Sequence, residues 1–305
     1  MHYLVTGGCG FIGSHLVHQL IALGHQVTVL DDLSTGSRDH LAKGAHLVEG
    51  SILDEVLVSS LLKDAKDGCF HLAAIPSVER CLHEWHTTSQ VNVLGTVSVF
   101  EACRKAPTPV PVIYASSAAT YGLHDGALTE DEISMQPASS YGVDKLACEF
   151  YGHIAWHNHG LPNIGLRFFN VYGPGQPKNS PYSGVITCFM AAHEQGKPFT
   201  IFGDGKQTRD FIFVGDIANS CIAAIQLEQK QAAIYNVCTG KATSVLEIAS
   251  VMADIYQVPL KVDHQPARLG EPKRSVGSFN KLRASIPNIG EFISLKDGLR
   301  QTIGV

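Results

Sequence analysis

Three side chains, Ser117, Tyr141 and Lys145, have the types and spacing needed to move a proton. Tyr141 and Lys145 are four residues apart, so in a helix they share one face and lie one turn from each other. A lysine ammonium beside a phenol lowers the pKa of such a group from about 10 towards neutrality, because the cation stabilises the phenolate. We therefore interpret Tyr141 as a general base. Ser117 follows an apolar run, at the predicted end of a strand, where its hydroxyl can hydrogen-bond a substrate oxygen and shuttle its proton.

A glycine pattern near the N-terminus has the spacing of a diphosphate-binding turn. Gly7, Gly10 and Gly13 form GxxGxxG between the first predicted strand and the first predicted helix. Glycines there permit a tight turn and a close backbone approach, so that a pyrophosphate can lie on the helix N-terminus. Alone, the pattern also fits an ordinary strand-to-helix turn, but its place between a strand and a helix favours a dinucleotide site.

Asp31 strengthens that interpretation and selects the dinucleotide. It lies 18 residues after Gly13, at the end of the second predicted strand. A carboxylate at this place accepts hydrogen bonds from an adenosine ribose diol and repels a 2′-phosphate, which favours NAD over NADP. The alternative is a loop-capping aspartate beside Asp32 and Ser34. Arg38 lies too far along the chain to be interpreted as a clamp for a 2′-phosphate.

The elements that must position these residues alternate along the first half of the chain. Residues 11–23 have apolar side chains at helical spacing, and Gly24 suits the C-terminal cap of that helix. Strand and helix patterns in alternation predict an α/β protein with a doubly wound parallel (Rossmann) sheet. The predicted strands are 3–5, 26–30, 46–48, 69–72, 112–115 and 164–168.

The amino-acid composition changes after residue 169, where Pro, Gly, Asn and Ser become frequent. This change predicts a smaller mixed α/β substrate-binding domain. We expect residues 1–170 to form the cofactor domain, which the chain rejoins at about 210–240. Residues 171–209 and 241–305 are expected to form the substrate-binding domain.

Composition excludes several classes of protein. The chain has 305 residues, 45% of them apolar and 17% charged, which is typical of a folded domain rather than a disordered one. Its 23 basic and 28 acidic residues give a charge of -5 without a basic block, so a nucleic-acid partner is not expected. A signal peptide and an apolar run long enough to span a membrane are not expected either. Eight scattered cysteines without a CxxC pair are typical of a reducing compartment, and we expect a cytoplasmic protein.

Taken together, the motifs resemble the extended short-chain dehydrogenase/reductase family. Within it, the chain is similar to nucleotide-sugar 4-epimerases of the UDP-galactose 4-epimerase and UDP-N-acetylglucosamine 4-epimerase type. Beyond the glycine turn and YxxxK, the resemblance runs through HLAA at 71–74, VNVLGT at 91–96, RFFN at 167–170, TRDFIFV at 208–214 and RLGE at 268–271.

The resemblance implies a reaction in which NAD stays bound and is regenerated in each turnover. Tyr141 phenolate takes the proton from the sugar 4-hydroxyl while C4 gives its hydride to the nicotinamide, beside which Ser117 is expected to lie. The 4-keto sugar then turns over and receives the hydride on its other face. The net result is inversion at C4 without net oxidation.

The resemblance also implies which residues bind each ligand. The residues expected to bind NAD are Gly7, Gly10, Phe11, Ile12, Gly13, Asp31, Ser34, Ile52, Leu72, Ala73, Ala74, Asn92, Ser116, Tyr141, Lys145 and Phe168. The residues expected to bind the UDP-sugar are Ser77, Ser117, Asn170, Val185, Thr200, Phe202, Arg209, Arg268, Glu271 and Ser275. Arg209 and Arg268 are expected to neutralise the diphosphate, because guanidinium groups match phosphate oxygens.

The chain departs from the epimerase pattern near the adenine and near the sugar. Ser51 replaces an aspartate that is common near the adenine. Residues 76–78 include no lysine of the kind found in the best-known hexose epimerases, so the contact there must differ, and Ser77 is our candidate for it.

Other activities of the family are judged by the residues that follow Ser117. Dehydratases of this family have an acid pair there and uronate decarboxylases have a glutamate, whereas this chain has Ala118 and Ala119, which cannot transfer protons. A UDP-uronate 4-epimerase and a nucleotide-sugar oxidoreductase remain as alternatives. A non-catalytic NAD sensor is disfavoured by the intact Ser117, Tyr141 and Lys145.

The size of the side chain at position 275 predicts which sugar the protein accepts. In epimerases of this type, the residue seven positions after the arginine of the RxGD/E motif gates the space for a C2 N-acetyl group, and here that residue is Ser275. Its small side chain favours UDP-GlcNAc and UDP-GalNAc, with UDP-Glc and UDP-Gal as a further pair.

We expect no metal site. The spacing of His83 and His86 around Glu84 is one residue short of HExxH. Glu149 shares a predicted helical face with two histidines, and we expect that face to be solvated or at a dimer edge. The family resemblance suggests a homodimer packed through helices near 88–105 and 141–157.

Overall fold

The computed structural model describes residues 1–124, 126–131, 135–177, 184–228, 231–267, 272–286 and 289–305, with only the backbone described for residues 78 and 79. Its strands, in chain order, are β1 (His2–Thr6), β2 (Gln26–Asp31), β3 (His46–Glu49), β4 (Gly68–His71), β5 (Val112–Ser117), β6 (Ala127–Leu128), β7 (Asn163–Phe168), β8 (Asn170–Tyr172), β9 (Phe199–Phe202), β10 (Thr208–Arg209), β11 (Phe211–Phe213), β12 (Gln231–Val237), β13 (Thr243–Ser244), β14 (Val262–Gln265) and β15 (Arg274–Gly277).

The helices are α1 (Phe11–Ala22), α2 (Glu55–Leu61), α3 (Val78–His83), α4 (Trp85–Ser89), α5 (Gly95–Lys105), α6 (Ser140–His159), α7 (Val185–Glu194), α8 (Val214–Ile225), α9 (Val245–Tyr256), α10 (Asn280–Ser285) and α11 (Leu295–Ile303). Most of them lie between strands along the chain, with α3, α4 and α5 consecutive between β4 and β5, and with α10 and α11 after β15. A π-helical turn, Gln90–Leu94, joins α4 to α5. Within the described ranges, no helix is long and apolar enough to cross a membrane.

Within the described residues, seven parallel strands form the main sheet, in the order β12, β7, β5, β4, β1, β2, β3. The order reverses between β1 and β4, and ligands bind outside the carboxyl ends of strands at such a point. The chain leaves the sheet after β7 and returns to it through β12. The predicted doubly wound parallel sheet is confirmed.

Alternate side chains of the strands point to the two faces of the sheet and form two apolar cores. Val5 and Phe70 pack on the face that carries α1 and α8, whereas Leu4 and Cys69 pack on the opposite face against α2, α5 and α6. Because both faces are covered, the inner strands are largely apolar, whereas the edge strand β3 is partly exposed. This is why their positions were readable in the sequence.

The second half of the chain builds a smaller mixed α/β part beside the sheet. A four-stranded sheet has the order β13, β10, β15, β6, and two strand pairs, β8 with β11 and β9 with β14, accompany it. Helices α7, α9 and α11 pack with these strands around a third apolar core, which includes Phe189, Ile201 and Met252.

Candidate active site

The glycine turn joins β1 to α1 and leaves no room for side chains. Gly7 has a φ of +72°, which other residues rarely adopt, and its N–H donates to the Leu30 carbonyl at 2.9 Å. A Cβ on Gly7 would lie 2.7 Å from the Ala73 nitrogen, and a Cβ on Gly13 would overlap the Gly7 carbonyl oxygen. The turn therefore brings the start of α1 against the loops that follow β1 and β4.

The N-terminus of α1 can accept an anion. Gly10 is the N-cap residue, so no side chain caps the first N–H groups, and the first turn has no acidic residue. The unpaired N–H groups and the helix dipole both favour a negative group there. The turn and the helix therefore fit the diphosphate of a dinucleotide.

Asp31 is buried at the end of β2 and fixes the loops around it. Its carboxylate accepts the N–H of Cys9 and the N–H of Leu33, both at 2.9 Å. The loop-capping alternative is therefore part of its role. Each carboxylate oxygen has a further lone pair, so the group can also accept from a ribose diol. Arg38 forms an exposed ion pair with Glu49 and does not line the cavity described next.

The first cavity, of about 460 Å³, lies at the carboxyl ends of the strands where their order reverses. It extends from Asp31 and Asp32 to Tyr141 and Lys145. Nearly all residues expected at the cofactor line it, together with Ser117. These are Gly7, Gly10, Phe11, Ile12, Gly13, Asp31, Ser34, Ile52, Leu72, Ala73, Ala74, Ser116, Tyr141, Lys145 and Phe168.

The three candidate catalytic side chains share this cavity. Lys145 is 4% exposed, and its Nζ donates to the Ala115 carbonyl at 2.9 Å and lies 5.8 Å from the centre of the Tyr141 ring. Ser117 ends β5, where its Oγ accepts the Ala119 N–H at 3.1 Å. Helix α6 supplies the phenol and the ammonium, and β5 supplies the hydroxyl. The arrangement can exchange a proton with a ligand oxygen in the cavity.

A buried ion pair behind these residues was missed by the sequence reasoning. Glu149 is 7% exposed, so the expectation of a solvated face was wrong for this residue, although His153 and His157 are exposed and stack on each other. Arg167 donates to both Glu149 oxygens, at 2.8 and 2.6 Å, and Ser116 donates to one of them at 2.5 Å.

Two observations indicate why this pair forms. Glu149 lies one helical turn beyond Lys145, and Arg167 is the register partner of Ser116 in the sheet. Burial alone would lower the pKa of Arg167, but the Glu149 carboxylate raises it above its usual value. The YxxxK spacing continued by four residues, together with an arginine inside an apolar strand, is the signal that could have found the pair.

His71 is buried at the end of β4, directly before Leu72, which lines the first cavity. Its Nδ1 lies 2.8 Å from the Thr6 hydroxyl and its Nε2 lies 2.9 Å from the Thr96 hydroxyl. Burial, with a smaller effect from the Lys145 ammonium, lowers the pKa of His71 to about 3. The ring is therefore neutral at pH 7.

Two predicted contact residues take supporting positions instead of lining a cavity. Asn92 is buried, accepts the Ile75 N–H at 2.8 Å and donates to Asp144 at 3.2 Å, so it fixes the loop after β4 against α6. Ser77 caps α3, since its Oγ accepts the Arg80 N–H at 3.0 Å. In this segment Pro76 and Arg80 line the first cavity, and Arg80 was missed.

A second cavity, of about 390 Å³, adjoins the first, because Val171 lines both. Its lining includes five residues expected at the UDP-sugar: Asn170, Val185, Thr200, Phe202 and Arg209. Among its described lining residues, Arg209 is the one with a charged side chain. The wall also contains Gln176, Gln207 and Cys188, which the sequence reasoning did not select.

The remaining predicted substrate residues lie beside this cavity or outside the description. Ser275 is the register partner of Arg209, and its carbonyl accepts the Asp210 N–H at 3.0 Å, but it lines neither cavity. Arg268 and Glu271 fall outside the described residues.

Asp210 connects the strands around Arg209. It is fully buried, and its carboxylate accepts from the Thr239 N–H and hydroxyl at 2.7 Å each, from Gly240 at 2.8 Å and from Gly277 at 3.3 Å. Burial raises its pKa, and these hydrogen bonds oppose that effect. The described residues contain no group of three or more His, Cys, Asp or Glu that could hold an ion.

The chain is similar to known proteins in both sequence and fold. Residues 3–238 match the model of the NAD dependent epimerase/dehydratase family. The chain is 35% identical over 308 residues to the UDP-glucose 4-epimerase of Mycolicibacterium smegmatis, with 99% of this chain and 97% of the relative covered.

Two solved structures are similar over almost their whole length. One is UDP-N-acetylglucosamine 4-epimerase from Methanobrevibacter ruminantium M1 in complex with UDP-N-acetylmuramic acid, with a TM-score of 0.93, 32% identity, and 99% and 97% of the two chains covered. The other is UDP-glucuronic acid 4-epimerase from Bacillus cereus in complex with UDP-glucuronic acid and NAD, with a TM-score of 0.89, 30% identity, and 100% and 98% covered.

Proposed function

The chain belongs to the NAD dependent epimerase/dehydratase family, and on that premise we propose that it inverts C4 of a UDP-hexose through a transient 4-keto sugar. The family and the NAD cofactor expected from the motifs are confirmed. The observation that carries the proposal is the shared cavity of Ser117, Tyr141 and Lys145 with the glycine turn.

The side chains of the first cavity supply the proton chemistry. NAD bound in the first cavity would supply the group that accepts the hydride and returns it. Tyr141 takes the proton of the sugar 4-hydroxyl and gives it back after the sugar has turned, so the base is regenerated. Lys145, held by the Ala115 carbonyl, keeps a positive charge next to the phenol. Ser117 hydrogen-bonds the 4-oxygen and keeps it within reach of Tyr141.

We place the nucleotide of the substrate in the second cavity. Arg209 binds the diphosphate there, and Phe202, Thr200, Val185 and Asn170 form walls around the nucleotide and the sugar. Arg268 and Glu271 are expected to complete this site. Because the two cavities adjoin, the nucleotide stays held while the sugar reaches Tyr141.

We propose UDP-GlcNAc and UDP-GalNAc as the preferred substrates, with UDP-Glc and UDP-Gal as a further pair. The small side chain of Ser275 and the similarity to a UDP-N-acetylglucosamine 4-epimerase support this choice. Ser275 lies next to Arg209 on the neighbouring strand, and we propose that it limits the space for the C2 substituent from there. A UDP-uronate 4-epimerase is the alternative, supported by the similarity to the Bacillus cereus enzyme. A nucleotide-sugar oxidoreductase is a further alternative.

A turnover panel tests the proposal. The purified protein, with no cofactor added, is incubated with UDP-GlcNAc, UDP-Glc and UDP-glucuronate, and the C4 configuration is followed by NMR. We expect C4 inversion with the N-acetylated pair and no accumulation of NADH or keto sugar. Tyr141→Phe is expected to lower kcat about 10³-fold or more, since it removes the base. Net NADH formation would favour the oxidoreductase, and turnover of the uronate alone would favour the uronate epimerase.

Ser275 is tested by a pair of substitutions. Ser275→Tyr is expected to lower kcat/KM for UDP-GlcNAc at least about tenfold while UDP-Glc turnover changes little, because the added ring occupies space that only the N-acetyl group needs. Ser275→Ala is the control and is expected to leave both substrates unaffected. An equal loss for both sugars in Ser275→Tyr would contradict the gating role.

The assembly and the compartment are also proposals. Exposed apolar side chains form one stripe on α6, with Val143, Phe150 and Ile154 exposed by 54, 64 and 47%. This stripe supports a homodimer packed through α6 and the helices from α4 to α5.

The eight cysteines are all thiols, which supports a reducing compartment, the cytoplasm. The division into a cofactor domain and a UDP-sugar domain is supported by the third core, although Leu282 and Ile286 pack in the first core and β6 joins the small sheet.

A further inference from the structure

Arg80 is a cation in the wall of the first cavity that the sequence did not mark. It lies in α3, three residues after Ser77, and shares the cavity with the glycine turn and with Tyr141. Its side chain is partly exposed to solvent, at 37%.

The guanidinium of Arg80 is only partly occupied. Its Nε donates to Glu84 at 2.8 Å, one helical turn away, and Glu84 is itself 47% exposed. Among the described residues, no other acidic group forms an ion pair with Arg80. The two terminal amino groups of a guanidinium can donate four further hydrogen bonds. An exposed pair of this kind contributes little to stability, so the side chain is available to a ligand.

The charges around the first cavity indicate which ligand needs Arg80. The charged side chains in its described lining are Asp31, Asp32, Arg80 and Lys145. Lys145 lies beside the phenol, where one of its three N–H groups donates to the Ala115 carbonyl. A dinucleotide brings two phosphate charges into this cavity, and a helix N-terminus offers the equivalent of about half a charge. The N-terminus of α1 therefore leaves most of the phosphate charge without a partner.

We propose that Arg80 binds the diphosphate of the dinucleotide cofactor, opposite the N-terminus of α1. The guanidinium keeps Glu84 on its Nε and donates from its terminal amino groups to the phosphate oxygens. This role rests on the proposed function, because it takes the first cavity as the cofactor site. It assigns the substrate diphosphate to Arg209 alone among the described cavity residues, since Arg80 lines the first cavity and not the second.

The test measures binding of three probes that differ in phosphate content. NADH and ADP-ribose carry the diphosphate, whereas adenosine carries the adenine and ribose without it. The wild type, Arg80→Gln and Glu84→Gln are first freed of any bound nucleotide, and binding is then followed by NADH fluorescence and by calorimetry at 50 and 300 mM salt.

We expect Arg80→Gln to weaken NADH and ADP-ribose about tenfold at low salt, the lower range for a hydrogen bond to a charged group, and to leave adenosine unchanged. The loss should shrink at high salt, because the wild-type contact is screened. Glu84→Gln keeps the cation and removes its competitor, so NADH should bind as tightly as in the wild type or up to about threefold more tightly. The thermal midpoint of the unliganded variants should match the wild type, since both side chains are exposed.

Three outcomes would overturn the assignment. NADH and ADP-ribose affinities within twofold of the wild type in Arg80→Gln would remove Arg80 from the cofactor site. An equal loss for adenosine would indicate a disturbed fold rather than a lost phosphate contact. A raised KM for the UDP-sugar with unchanged NADH affinity would place Arg80 at the substrate instead. Failure of the wild type to bind NADH would reject the proposed function itself, and this assignment with it.

Discussion

At the scale of single residues, hydrogen bonds join the strand and the helix that carry the reactive groups of the first cavity. Ala115 holds Lys145 through its carbonyl, and the next residue, Ser116, is held by Glu149 one helical turn further along α6. Two consecutive residues of β5 are therefore fastened to two consecutive turns of α6. This double attachment fixes the strand that carries Ser117 relative to the helix that carries Tyr141.

The ion pair of Glu149 with Arg167 makes a stability prediction. Glu149→Gln leaves the Arg167 guanidinium charged and buried, and we expect a loss of about 3 to 5 kcal/mol in the free energy of unfolding. The double variant Glu149→Met with Arg167→Met removes both charges and should recover most of that loss. Urea unfolding checks both. A double variant as unstable as Glu149→Gln would show that packing, rather than the unpaired charge, dominates.

His71 makes a prediction about pH. Its folded pKa of about 3 lies below the value of about 6.5 in the unfolded chain, so between these values only the unfolded chain binds the proton. The stability contribution of the neutral ring is present above pH 6.5 and falls by about 1.4 kcal/mol for each unit as the pH decreases towards 3.

From pH 7 to pH 5, His71 alone should therefore cost the wild type about 2 kcal/mol. His71→Gln is expected to be less stable at pH 7, but its loss between the two pH values should be smaller than that of the wild type by this amount. His153→Gln, at an exposed histidine, is the control and should keep the wild-type slope. Urea unfolding at the two pH values supplies the comparison, and equal slopes for His71→Gln and the wild type would contradict a buried neutral ring.

At the scale of elements, the approach of α1 to β1 depends on a missing side chain. A Cβ at Gly13 would overlap the Gly7 carbonyl oxygen, which is backbone and cannot rotate away. Gly13→Ala should therefore push α1 off the glycine turn, cost about 3 kcal/mol or more of stability and abolish detectable NADH binding. Ser14→Ala, the neighbouring control, loses one hydroxyl bond to the Phe11 carbonyl and should bind NADH normally. Wild-type affinity in Gly13→Ala would contradict the tight contact.

Elements with strong local signals were predictable from the sequence. The six predicted strands match β1 to β5 and β7 within one residue at each end, except that β5 runs two residues further than predicted, because strands covered on both faces are largely apolar. Helix α1 ends as expected, with Leu23 at its C-cap and Gly24 at a φ of +79°. Two-residue strands such as β6, β10 and β13 were not predictable, since their pairing depends on partners far away in the chain.

The site was predictable where backbone motifs define it and not where side chains meet across elements. The glycine turn, Asp31 and the YxxxK helix lie along the first cavity as the motifs indicated. Ser77 and Arg80 could not be sorted from sequence, because both follow β4 closely and only the packing of α3 decides which of them faces the cavity. Asn92 lies further along, in the π-helical turn, where its contacts with the loop after β4 and with α6 depend on tertiary packing. Roles inferred from a family pattern transfer less well at such positions.

At the scale of the whole molecule, the apolar stripe on α6 makes a prediction about assembly. Phe150→Asp places a charge in the proposed interface and should convert a dimer into a monomer in light scattering at micromolar concentration. Val56→Asp is a matched control, because Val56 on α2 is 82% exposed and lies outside the stripe. A wild type that is already monomeric, or a Phe150→Asp variant that stays dimeric, would contradict the proposed assembly.

The wall between the two cavities has a consequence for how substrates differ. Phe168 and Phe169 line the first cavity, Asn170 and Tyr172 line the second, and Val171 lines both. This short stretch of backbone thus fixes the distance between the proposed nucleotide site in the second cavity and Tyr141 in the first. A bulkier sugar cannot change that distance. Substrates should therefore compete for the nucleotide site with similar affinities and differ chiefly in how often the sugar completes its turn.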